Sequence, residues 1–264
     1  MKKIVSLLFL VVLFSSCSEY QKALKSEEID SKYQVAAKMY DKGKYDKAIR
    51  LFEQIAPSFK GKPQAEKLFY MYAQAYYKTK QYYLAGYQFE SFSSSYPRSE
   101  KQEEASFLGA KCYSKLSPTF SLDQADTEKA LDKLQSFIDT YPNSTYLPEA
   151  NGIVKELRFK IEKKAFENAK QYNTISDFKA AQIAFDNFIS DFPGTTFKEE
   201  ALFYKLDSAY KLALNSVPQK MEERLNSAKT AYNSLMKFKA DSKFKSKADE
   251  MLAKIEKDLQ QYSK

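Results

Sequence analysis

The chain has no histidine, no tryptophan, and only six glycines and two cysteines in 264 residues. Without histidine it lacks the usual general base, the Ser-His and Cys-His nucleophile arrangements, and the commonest metal ligand. Two cysteines cannot form a zinc cluster, so neither a metal nor a cofactor site is expected. Six glycines include no Gly-rich phosphate loop. Arginine is also scarce, confined to Arg50, Arg98, Arg158 and Arg224. The basic excess is lysine, spread along the chain and interleaved with acids, whereas a nucleic-acid binder clusters its base and uses arginine forks. Solvated helix faces are expected and no nucleic-acid partner. Carboxylates are plentiful but form no motif that separates them from surface charge, so catalysis is not expected.

What is present begins with a leader. Lys2 and Lys3 precede an apolar run from Ile4 to Phe14, broken only by Ser6. Crossing a hydrocarbon core of roughly 30 Å takes about 20 helical residues, so this run is too short to span. A positive start, an apolar middle and small residues at the end make a secretory signal. Phe14-Ser15-Ser16-Cys17 resembles the bacterial lipobox, in which the cysteine is acylated and the leader is cut before it. Cys17 is therefore the expected lipidation site. Two or three acyl chains hold a protein on a membrane without a spanning helix. Losing Lys2 and Lys3 lowers the formal charge from +8 to +6.

Self-comparison of the remainder finds one pattern five times. It occurs in KYDKAIRLFEQI, QYYLAGYQFESF, DTEKALDKLQSF, SDFKAAQIAFDNF and RLNSAKTAYNSL, centred on Ala48, Ala85, Ala130, Ala181 and Ala228. Four residues after each alanine comes Phe52, Phe89, Leu134, Phe185 or Tyr232, and three further Ile55, Phe92, Phe137, Phe188 or Leu235. That spacing is one face of a helix, with alanine allowing close approach of a neighbour. Proline follows in Tyr96-Pro97, Tyr141-Pro142 and Phe192-Pro193 and ends the helix. Ala105, Ala150, Ala201 and Ala248 then mark the next one. Small-then-aromatic pairs, Ala73/Tyr76, Ala110/Tyr113 and Ala169/Tyr172, lie on the helix preceding a repeat helix. The expected fold is an all-α tetratricopeptide-like solenoid of about five helical hairpins, each covering the next. Leader 1–16, lipidated linker 17–28, N-terminal repeats 29–173 and C-terminal repeats 174–264 are its expected divisions.

The leader, the five repeats and the recurrent aromatic-Pro followed by Ser or Thr (Ser99, Ser144, Thr195) together resemble the BamD family. Its members are the lipoprotein subunits of the outer-membrane β-barrel assembly machine. The stretch SPTFSLDQADTEKAL is similar to the third repeat of Bacteroidetes-type members. The resemblance covers essentially all of the chain after Cys17 and departs from the pattern at Lys239-Ala240, where the fifth Tyr-Pro is missing. It implies a scaffold on the inner leaflet of the outer membrane, facing the periplasm. The C-terminal repeats would bind BamA, the barrel subunit, and the N-terminal repeats would receive unfolded outer-membrane β-barrel proteins. After Cys17, SEYQKALK has one acid rather than an acidic run, which favours the periplasmic side. Another tetratricopeptide lipoprotein, a cell-division or pilus-assembly adaptor, would share anchor and repeats. A ligand-binding lipoprotein resembling the starch-binding SusD family is typically about twice as long and stacks sugars on tryptophan, which is absent here.

Registering the repeats places Tyr33 and Tyr40 on one groove-facing side of their helix, and Tyr70 and Tyr77 on the next. Phe69, Tyr72, Ala73 and Tyr76 fill core positions separately, leaving this tyrosine ladder free of an evident packing role. Gln74 completes the candidate substrate groove. Rigid aromatic faces there would accept the apolar, aromatic-ended strand of an unfolded barrel protein.

Overall fold

A computed structural model describes residues 19–262. After a helical segment at 19–25, the described residues form eleven α-helices and no strands. They are α1 (Ile29–Asp41), α2 (Tyr45–Phe59), α3 (Ala65–Lys78), α4 (Tyr82–Ser95), α5 (Gln102–Leu116), α6 (Ala125–Thr140), α7 (Leu147–Thr174), α8 (Phe178–Asp191), α9 (Lys198–Leu214), α10 (Pro218–Phe238) and α11 (Lys245–Leu259). Helices pack against sequence neighbours, such as α1 on α2, α4 on α5 and α9 on α10, as a solenoid requires. The chain divides into two compact units, with the boundary between Leu157 and Arg158 inside α7. No helix among the described residues is long and apolar enough to cross a membrane.

The five repeat alanines are fully buried on α2, α4, α6, α8 and α10, and the large residues that follow them are buried with one exception. Tyr232 is half-buried beside the terminal helix, where its hydroxyl donates to Asp249 Oδ1 at 2.7 Å. The preceding helices answer with Ala73, Ala110 and Ala169, all buried. Tyr76 and Tyr113 are buried too, and each donates to a glutamate of the earlier repeat helix, Glu53 at 2.8 Å and Glu90 at 2.9 Å. A buried phenol needs such a partner. Tyr172 breaks the pattern and lies 42% exposed. The buried position beside it is taken by Asn173, whose amide donates to Asp207 Oδ2 and Ser208 Oγ at 2.8 Å each.

The aromatic-Pro-x-Ser/Thr stretch proves to be a junction. Each hydroxyl accepts from the backbone N–H two residues on: Lys101 to Ser99, Tyr146 to Ser144, Phe197 to Thr195 and Phe244 to Ser242, at 3.0 to 3.2 Å. Such a bond steers the chain into the next helix. Three of these hydroxyls also donate back to a glutamate in the first turn of the preceding odd-numbered helix. Ser99 reaches Glu66 at 2.6 Å, Ser144 reaches Glu103 at 2.5 Å, and Ser242 reaches Glu199 at 2.7 Å. The fifth repeat, despite Lys239-Ala240, thus ends like the others, with α10 closing at Phe238 and Ser242 in the same role.

Glu199 also accepts from Lys239 Nζ at 2.9 Å and from the Lys243 backbone at 2.8 Å. The Ser242 hydrogen bond first, then Lys239, lower its carboxyl to about 2 against an ordinary 4.5. A depressed carboxylate pKa stabilises the fold fully above the ordinary value, and that contribution is lost as pH falls through the folded value. Glu199→Gln is therefore expected to lower the urea midpoint of the second unit at neutral pH, with the gap from the parent closing between pH 4.5 and 2. A gap independent of pH would show that the charge at Glu199 contributes nothing.

Candidate peptide-binding face

The tyrosines registered by spacing lie on α1 and α3 of the first unit. Tyr70 on α3 is half-buried, its ring 5.4 Å from Phe92 and 6.3 Å from Phe89. Its hydroxyl receives a hydrogen bond from Gln74 Nε2 at 2.9 Å and bonds to Glu104 of α5. Burial first, and then Glu104, hold the Tyr70 phenol far above its ordinary range. Lys101 Nζ pairs with Glu104 at 3.1 Å and lies 5.6 Å over the Tyr70 ring. Tyr40 of α1 is within electrostatic reach of the same carboxylate, and burial chiefly raises its pKa. One turn-pair along, Tyr77 hydrogen-bonds Lys111 of α5, whose Nζ pairs with Glu149 of α7 at 2.6 Å. Burial works against the Lys111 charge, and Glu149 and Tyr77 more than offset it, so its pKa sits above the ordinary value.

Tyr70 and Gln74 thus gather with Glu104, which Tyr40 faces electrostatically, while Tyr77 joins a second group, Lys111 with Glu149. Tyr33 and Gln74 are buried, with Tyr33 stacked on Phe59 at 5.2 Å, and Tyr40, Tyr70 and Tyr77 are half-buried. The ladder does have a packing role, contrary to the reading from spacing alone. Tyr40 meets Tyr45 at 5.4 Å and Tyr77 meets Tyr82 at 6.0 Å, so the rings close each hairpin against its own second helix. Tyr40, Tyr70 and Tyr77 keep part of their surface exposed, and the hydroxyls of Tyr70 and Tyr77 are held by hydrogen bonds.

Sequence reasoning missed Lys101, Glu104, Lys111 and Glu149. A signal existed: Glu104 and Lys111 stand 34 residues after Tyr70 and Tyr77. The same rungs simply change from aromatic to charged. Elsewhere in the first unit, Cys112 is buried and its thiol is pushed up to about 12 by burial, so it is no nucleophile. Among the described residues no group of His, Cys, Asp or Glu could hold a metal ion. Cys17 lies outside the described residues.

The family model described as YfiO, outer membrane lipoprotein, matches residues 25–225, about three quarters of the chain and all of this face. The chain belongs to the YfiO family. A relative from Caulobacter vibrioides (strain ATCC 19089 / CIP 103742 / CB 15), named outer membrane protein assembly factor BamD, is 26% identical over 201 residues, covering 76% of this chain and 64% of the relative. This chain thus spans less than two thirds of that relative's length. An Aquifex aeolicus (strain VF5) protein, provisionally named BamD as well, is 24% identical over 234 residues, covering 85% of this chain and 74% of its own. Among solved structures, TPR-like repeats from a Podosopora anserina chain provisionally named kinesin light chain align at 15% identity over 81% of this chain and 99% of that one. A substituted form of the same repeats aligns at 14% over 82% and 98%, and TM-scores of 0.32 and 0.33 carry no argument for either. In this YfiO family member the helical-repeat fold rests on the helices themselves.

Proposed function

We propose that this chain is an outer-membrane protein assembly factor, a non-enzymatic lipoprotein scaffold acylated at Cys17 and facing the periplasm. The observation that carries the reading is the family match over residues 25–225, together with two relatives named for that role. Residues 174–264 hold a BamA-type barrel subunit, and the Tyr40–Tyr70–Tyr77 face receives an unfolded outer-membrane β-barrel protein. A binding face of half-buried tyrosines beside an ion-paired lysine suits an extended chain, offering ring surface to apolar side chains and hydroxyls to the backbone.

The second unit supports the partner assignment with an apolar edge. Ile175, in the turn after α7, and Val217, in the turn after α9, are 63% and 58% exposed. The Asn173 bonds to Asp207 and Ser208, and Lys211 lying 5.7 Å over Phe178, pack the ends of α7 and α8 on α9. Tyr172 and Leu214, in the last turns of α7 and α9, are exposed as well. Apolar residues exposed together mark interaction surfaces. The tagged, lipidated chain purified from membranes is expected to bring down the BamA-type subunit. Ile175→Asp with Val217→Asp is expected to cut that recovery about fivefold or more at unchanged helicity. Recovery of cell-division or pilus proteins in place of the barrel subunit would overturn the function, and full recovery by the variant would overturn this surface.

A further inference from the structure

The described structure is already helical at Glu19, two residues after the proposed acylation site. Tyr20 and Ala23 of the segment 19–25 are 4% and 3% exposed and belong to the core of the first unit. Glu19 pairs with Lys38 of α1 at 2.6 Å, and Lys47 of α2 lies 5.1 Å over the Tyr20 ring. The hydrogen bond from Lys38, with Lys42 nearby, holds the Glu19 carboxyl below its ordinary range. The segment is therefore clamped to α1 and α2 by packing, an ion pair and a cation–ring contact, and is no linker.

Glu19 stands two residues after Cys17. A chain spans at most about 3.6 Å per residue, so the two Cα atoms can never be more than about 7 Å apart. That is close to the Debye length of about 8 Å at physiological salt, so charges around Glu19 feel an anionic lipid surface. Beside Glu19 opens a groove of about 610 Å³. Its lining includes Lys38, Lys42 and Lys67, the acids Glu19 and Asp41, and buried Tyr33.

We propose that this end of the first unit is a membrane-docking surface, held on phospholipid headgroups by a tether too short to let it leave, with Lys38, Lys42 and Lys67 facing anionic phosphates. The inference rests on acylation of Cys17, as proposed above. It makes the lipid an orienting device as well as an anchor: the unit cannot swing freely, and its peptide-binding face keeps a fixed height above the bilayer.

The test uses the full acylated chain in vesicles of phosphatidylethanolamine and phosphatidylglycerol, some lipids carrying a headgroup nitroxide. A fluorophore is placed at Lys44→Cys, in the turn between α1 and α2, or at Asp126→Cys on α6; buried Cys112 stays unlabelled. Quenching is expected to be several-fold stronger at 44 than at 126. A Gly-Ser insertion of about 20 residues after Ser18, with a reach of about 25 Å, is expected to abolish the difference. Lys42→Glu with Lys67→Glu is expected to weaken quenching at 44 in these vesicles and to leave it unchanged in phosphatidylcholine. Intact mass distinguishes the two ways of failing. Chains without acyl mass overturn the anchor and this inference with it. Acylated chains quenched equally at both positions, or unaffected by the insertion, overturn the docking surface alone, and a charge variant quenched like its parent overturns the role of the lysines.

Discussion

Phe166→Ala is expected to cost about 3–5 kcal/mol and to unfold most of the second unit. Phe166 is 1% exposed, and four rings surround it: Phe197 at 5.1 Å, Phe188 at 5.7 Å, Phe185 at 6.2 Å and Tyr204 at 6.3 Å. Those rings come from α8, α9 and the junction between them, so the side chain joins three consecutive elements of the repeat array. Removing it opens a cavity that stacked rings cannot collapse to fill, and it also loses aromatic pairs worth about 0.5–1.5 kcal/mol each. A domain stable by about 5–15 kcal/mol has little left after such a loss. Hydrogen exchange resolves the effect by segment. Protection should fall across α8 to α10 and persist in α1 to α6, because solenoid contacts run between neighbours. Unchanged protection in α8 to α10 would mean that the cluster does not hold the unit together.

Tyr70→Ala combined with Tyr77→Ala is expected to weaken binding of an aromatic-ended barrel C-terminal peptide by about 1–3 kcal/mol, the range for lost aromatic anchors. The same change removes rings that pack on Phe89, Phe92 and Tyr82, so a lower melting temperature should accompany it. Tyr70→Phe with Tyr77→Phe separates the two effects. It keeps the rings and drops the hydroxyls bound to Gln74, Glu104 and Lys111, so peptide affinity should fall by about 1 kcal/mol per lost bond or less. Calorimetric titration at a temperature where circular dichroism shows both variants folded decides the matter. Parental affinity in the alanine pair would place the peptide elsewhere on the protein.

The helices were legible because their cause is local. An alanine with apolar residues four and seven positions on dictates one buried face, and four copies bury all three positions while the fifth leaves only Tyr232 half-buried. The prolines mark where α4, α6 and α8 stop, and α10 closes without one, with Ser242 making the same hydroxyl-to-glutamate bond as Ser99 and Ser144. The glutamate end of that bond was not legible, since Glu66 and Ser99 are 33 residues apart while Glu199 and Ser242 are 43 apart, and only folding brings them together. The tyrosine ladder was read correctly as a periodic row and incorrectly as unpacked. Heptad spacing fixes which side of a helix a residue occupies, but it cannot say how far the partner helix wraps around it, and Tyr40, Tyr70 and Tyr77 sit on that margin. Glu104 and Lys111 keep the positions of Tyr70 and Tyr77 but change the residue type, so a pattern of tyrosines does not reveal them.

The central claim is that this chain assists insertion of outer-membrane β-barrels. The most direct test reconstitutes the BamA-type subunit in vesicles with and without the acylated chain, adds an unfolded barrel protein, and measures the protease-resistant, heat-modifiable barrel formed with time. A substantial rise in folded barrel when the chain is present, reduced by the Tyr70→Ala, Tyr77→Ala pair, is the predicted result. Equal barrel yield with and without the chain would contradict the account.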